Sequence, residues 1–188
     1  ERIKKKSSNT TEQGTAFEKL SKIFFENDDI QKQQFSKVWY YKDWAKKYSN
    51  FSKTDIGIDL VGKLRDGSGF AAIQCKFFNF DHQITKEDLD SFVSASSSKI
   101  FTRLILIDAS NLDLGSNAKS MIKNLNKTYL RIQKYDLENS RIDWLEYLNE
   151  ENISLLNKKE PRDHQILAMR AAEKHYLKND RGKMIMAC

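Results

Sequence analysis

The stretch Thr54–Phe78, TDIGIDLVGKLRDGSGFAAIQCKFF, decides how the rest of the chain is read. Ile56, Ile58, Leu60 and Val61 are β-branched or aliphatic, Asp66, Gly67 and Gly69 supply turn chemistry, and Phe70–Phe78 is again rich in apolar residues. That pattern predicts a β-hairpin. Strand side chains alternate between faces, so Gln74 and Lys76 project to one side while Ile73, Cys75 and Phe77 project to the other. Pairing across the turn brings Asp59 towards Gln74 and Lys76. A carboxylate and an amide oxygen are hard ligands of the kind Mg²⁺ or Mn²⁺ takes, and an ammonium beside them suits a phosphodiester. Asp55 shares the strand parity of Asp59 and is a further candidate. Cys75 is expected to turn its side chain into the core as a small hydrophobe.

Elements of alternating type lie on either side of the hairpin. Upstream, Ala16, Phe17, Leu20, Ile23 and Phe24 recur at helical spacing, predicting a helix over 12–26 with Phe17, Leu20 and Phe24 facing the core. Glu18 falls off that stripe, at i,i+4 spacing from Lys22. Val38–Tyr41 favours a short strand, and Trp44 lies in a segment the pattern leaves unassigned. Downstream, Thr85 ahead of Lys86-Glu87-Asp88 marks a helix start, with the helix running to about Ser96. Leu104–Ile107 reads as a strand covered on both faces, Asn117–Asn126 as a helix, Tyr129–Tyr135 as a strand and Ile142–Leu148 as a short helix. A sheet with helices on both faces accounts for this order. The loop before Asn117 and the segment Ser96–Lys99 are candidate phosphate contacts.

The functional pattern D–x14–QxK, Asp59 to Gln74 and Lys76, resembles the PD-(D/E)xK nuclease signature with Gln in place of the second acid. Gly57-Ile58-Asp59 followed by Gln74-Cys75-Lys76 resembles the Mrr-like branch. The wider match, with GTAFEKL around Glu18, IQCKFF, ITKED and DLENSRIDW, looks like the N-terminal nuclease of Type ISP-like restriction enzymes and covers most of residues 12–150. The resemblance implies an α/β, restriction-endonuclease-like core with a central mixed β-sheet flanked by α-helices. It implies Asp59, Gln74, Lys76 and Glu18 as catalytic residues. Asp59, Gln74, Glu18 and the Cys75 backbone carbonyl would be the metal ligands, with Mg²⁺ or Mn²⁺ as cofactor. Its partners would be double-stranded DNA, a helicase or translocase, and methyltransferase or specificity domains in cis or as subunits. The competing expectation is an inactive nuclease-like module that grips DNA or docks on a helicase.

Composition narrows the remaining classes. The 188 residues, 39% hydrophobic, suffice for one sizeable core. A net charge of +6 fits a polyanionic partner. Cys75 and Cys188 are too few and too far apart for a disulfide framework and suit a reducing cytoplasm. His82, His164 and His175 have no partners at zinc-ligand spacing. No apolar run is long enough to span a bilayer, and ERIKKKSSN lacks a signal peptide's hydrophobic segment. Residues 1–11 read as a flexible basic arm, in which Lys4, Lys5 and Lys6 are within reach of phosphates, 12–150 as the nuclease domain and 151–160 as a linker. Residues 161–188 change character. Pro161, then Arg162-Asp163-His164-Gln165, an amphipathic helix, Arg181-Gly182-Lys183 and an apolar strand Met184–Ala187 resemble the entrance to a superfamily-two helicase motor. That resemblance implies a truncated ATPase in which Gln165 would read adenine and ATP would bind only in a longer protein.

Overall fold

The computed structural model describes residues 2–48, 57–157 and 160–183. The chain forms two units, Glu1–Leu155 and Leu156–Cys188.

In the first unit, α1 (Arg2–Lys6) precedes α2 (Thr10–Asn27). Asn9 caps α2, its Oδ1 accepting from the Glu12 N–H at 2.9 Å, which satisfies one of the free amides at the helix start. Phe17, Leu20, Ile23, Phe24 and Phe25 on α2 are buried, so the predicted apolar stripe is the face that packs. The expected mobile arm is instead partly helical, because Ile3 is buried in the same cluster as α2. Lys4 donates to Asn79 Oδ1 at 2.5 Å and Lys6 to the Leu148 carbonyl.

Next come α3 (Gln31–Gln34), β1 (Phe35–Tyr40) and α4 (Tyr41–Lys47). Trp44 is fully buried on α4, set among Tyr41, Tyr48, Phe70 and Phe101, so the segment that patterning left unassigned is an aromatic anchor. The hairpin is β2 (Leu60–Leu64) with β3 (Phe70–Lys76). Its turn needs glycine at position 69: φ is +127°, and a Cβ there would lie 2.9 Å from the Ile100 carbonyl oxygen. The part of the expected hairpin from Thr54 to Ile56, including Asp55, lies outside the described residues.

Then follow α5 (Glu87–Ala95), β4 (Phe101–Asp108), α6 (Ser116–Lys123), β5 (Thr128–Ile132), α7 (Lys134–Asn139) and α8 (Trp144–Glu150). Tyr135, expected in a strand, belongs to α7. The Asp136 carboxylate accepts from the Gln133 N–H at 2.8 Å and turns the chain into a helix right after Ile132. At Ser96–Lys99, Lys127 Nζ donates to the carbonyls of Ser96, Ser97 and Ser98 at 2.5, 3.0 and 2.7 Å, while Ser97 and Lys99 are exposed.

The sheet order is β1-β2-β3-β4-β5, antiparallel from β1 to β3 and parallel from β3 to β5. Leu60, Ile73, Ile105 and Ile107 face α2 on one side. Val61, Ala72 and Leu104 meet Trp44 and Phe92 on the other, where Leu106 meets Leu89 of α5 and Ala118 of α6. This is the expected mixed sheet with helices on both faces. Each fully buried aliphatic side chain in it contributes ~1.5–3 kcal/mol, so the strands that carry the site stand on the best-packed part of the molecule.

The second unit is built on α9 (Asp163–Tyr176), none of whose residues is buried. Gln165 Oε1 accepts from the Arg162 N–H at 2.9 Å and caps the helix start. The expected strand Met184–Ala187 lies outside the described residues.

Candidate active site

At the open end of the hairpin, Asp59 continues the β2–β3 register. Its N–H donates to the Ile73 carbonyl at 3.0 Å, and its Oδ2 accepts from the Cys75 N–H at 2.6 Å. The carboxylate is thus held by backbone at a fixed place beside Gln74. Carbonyls along a strand alternate in direction. Because the Ile73 carbonyl points at Asp59, that of Cys75, two residues on, points towards the same edge. The strand parity read from the sequence holds, with Gln74 and Lys76 leaving one face and Cys75 the α2 face.

Gly57, Asp59, Gln74, Cys75 and Lys76, with Ser91 and Ser94 of α5, line a cleft of about 530 Å³. Gly57 fits against α5 only as glycine: φ is +88°, and a Cβ would meet Ser91 Oγ at 2.8 Å. Gln74 is 3% exposed, and its Oε1 is buried with no hydrogen-bond partner among the described residues. A buried acceptor left open in this way costs ~1–3 kcal/mol, and a cation is a natural partner for it. Lys76 Nζ lies 5.8 Å from the centroid of the Phe78 ring. That ring lies tilted against His82, with centroids 3.9 Å apart and planes at 33°, and His82 Nε2 lies 3.1 Å from Asp88 Oδ2.

Asp59, Gln74, Lys76 and the Cys75 backbone therefore come together as the sequence grouped them. Glu18 stands on α2; burial first, then the charges of Asp59 and Glu18, push the Cys75 thiol up. Glu18 is not among the residues lining the cleft. Among the described residues, no group of three or more His, Cys, Asp or Glu side chains is placed to hold a metal. The oxygen set of Asp59, Gln74 Oε1 and the Cys75 carbonyl nevertheless fits a hard divalent ion, because an amide and a backbone carbonyl serve such ions as carboxylates do. Sequence reasoning placed Ser91 in the family match but named neither Ser91 nor Ser94 as a site residue. Their i,i+3 spacing places them on one helix face, and only the close approach of Gly57 to α5 turns that face to the cleft.

A family model described as a restriction endonuclease, of the Mrr type, matches residues 26–154. The chain belongs to the restriction endonuclease family. The ATP-dependent Type ISP restriction-modification enzyme LlaBIII, solved bound to DNA, is similar to it at 31% identity over 95% of this chain, with a TM-score of 0.64. This chain spans 11% of the length of LlaBIII. The MspJI restriction endonuclease, solved with a 27-mer oligonucleotide, aligns at 12% identity over 88% of this chain and 41% of its own, with a TM-score of 0.36, too slight a likeness to bear on the fold. No curated protein matches the chain. Among the described residues, no helix is long and apolar enough to cross a membrane.

Proposed function

We propose that the first unit is a Mg²⁺-dependent DNA endonuclease that hydrolyses phosphodiester bonds as the nuclease part of an ATP-dependent restriction enzyme. The observation that carries this reading is the buried Gln74 Oε1, which has no hydrogen-bond partner among the described residues, beside the backbone-held carboxylate of Asp59, with Lys76 in the same cleft. Asp59, Gln74 and the Cys75 carbonyl would hold the ion, and Glu18 is the further ligand that the family pattern names. The ion would neutralise phosphate oxygens and make water more acidic.

The chain's own groups do the rest. The Cys75 N–H fixes one oxygen of Asp59 and so orients the carboxylate. The Lys76 ammonium offsets charge growing on the phosphate oxygens as water attacks phosphorus in line and the P–O bond to the leaving group breaks. The hydroxyls of Ser91 and Ser94 offer donors to the flanking backbone. In the longer protein, double-stranded DNA, a helicase motor and methyltransferase or specificity domains would be its partners. The second unit would open the motor, with Gln165 turned to adenine once ATP is bound there.

Gln74 is neutral where a second acid would bind metal more strongly, and this favours a second reading, a module that grips DNA without cutting it. Calorimetry with Mn²⁺ separates the two. The endonuclease reading expects binding to the parent chain and its loss in Asp59→Ala, whereas no heat from the folded parent chain would favour the gripping module.

A further inference from the structure

One buried ion pair beside the cleft has no part in the chemistry proposed above. In the parallel β3–β4 ladder Lys76 is paired with Asp108, and in the β4–β5 ladder Leu106 is paired with Arg131. Paired residues share a sheet face, so Lys76, Asp108 and Arg131 all project to the side of α5 and α6. Asp108 is fully buried. Its Oδ2 accepts from Arg131 Nε at 2.7 Å. Its Oδ1 accepts from Arg131 Nη2 at 3.1 Å, from the Ser110 N–H at 3.0 Å and from Ser110 Oγ at 2.7 Å. Arg131 Nη2 also donates to Ser110 Oγ at 3.0 Å.

A buried carboxylate demands a cation. Two cations neighbour this one across the sheet, Arg131 and its own register partner Lys76. The planar guanidinium matches both carboxylate oxygens at once, which a single ammonium cannot do. We propose that Arg131 is a positioning residue: by occupying the buried carboxylate of Asp108, it leaves the Lys76 ammonium to the cleft. With the fork removed, Asp108 would draw Lys76 across the sheet and take its charge from the phosphate. The inference rests on the role given to Lys76 above.

The test compares Arg131→Met with the double variant Asp108→Asn/Arg131→Met in the full-length protein, reading DNA affinity and cleavage separately. In Arg131→Met, cleavage should fall by about tenfold or more while affinity stays within about twofold. In the double variant, which no longer has a charge to compensate, cleavage should return to within about threefold of the parent. A crystal structure of Arg131→Met should place Lys76 Nζ within about 4 Å of Asp108. If Arg131→Met does not fold, Arg131→Gln reads the same effect, because the introduced amide can donate a hydrogen bond to the carboxylate without neutralising it, and Asp108→Asn should again restore cleavage. A folded Arg131 variant that cuts at the parental rate, or a double variant no better than the single, would overturn the inference. Full cleavage by Lys76→Ala would instead remove the role of Lys76 itself, so the two failures are distinct.

Discussion

Gln74 is the residue on which the proposed chemistry turns. Its burial on the β3 face would be costly for an amide with no partner, and the cost is explained if a cation is the partner. Asp59 needs no such argument, because the Cys75 N–H already fixes it. These positions were legible in the sequence because strand alternation and one short hairpin determine them, and the loop between the strands is too short to allow another register. Gly57 was legible only as part of a motif. Its positive φ and its contact with Ser91, 34 positions later, belong to tertiary packing that no local pattern encodes. Gly57→Ala should therefore destabilise the fold by ~1–3 kcal/mol and displace α5 from the cleft, measured by denaturant unfolding and by loss of cleavage. An unchanged midpoint would show that the α5 wall is not held by this approach.

At the scale of elements, most segments with an apolar pattern were legible, the short β1, β2 and α8 included, and three of the shortest helices were not. α2, β4 and α6 carry runs of apolar residues at a clear period, whereas α3, α4 and α7 are single turns or little more, and contacts distant in sequence decide them. Around α3, Asp29 is held by Lys32 at 2.6 Å and by Arg141, 112 positions away, at 2.9 Å. Hydrogen bonds from Lys32 and then Arg141 lower its carboxyl to about 2. A carboxylate whose folded pKa lies below its unfolded value adds stability above the unfolded pKa and loses it as pH falls through the folded one. Asp29→Asn should thus lower Tm at about pH 6 and leave it nearly unchanged at about pH 2, where the parent side chain is itself being protonated. A gap of equal size at both pH values would contradict the ion-pair account.

For the whole molecule, the likeness to LlaBIII extends over nearly all of this chain but only a small part of that enzyme. The core that supports the cleft was legible as alternating elements around a mixed sheet. Composition cannot show that Lys4 and Lys6 find acceptors within the fold. The most direct test of the account is nicking of supercoiled plasmid by the full-length protein with Mg²⁺ and ATP, comparing the parent with Asp59→Ala and Lys76→Ala. The account predicts that the parent cuts and that each variant loses strand cleavage while keeping its fold and ATP hydrolysis. Full cleavage by either variant would contradict it.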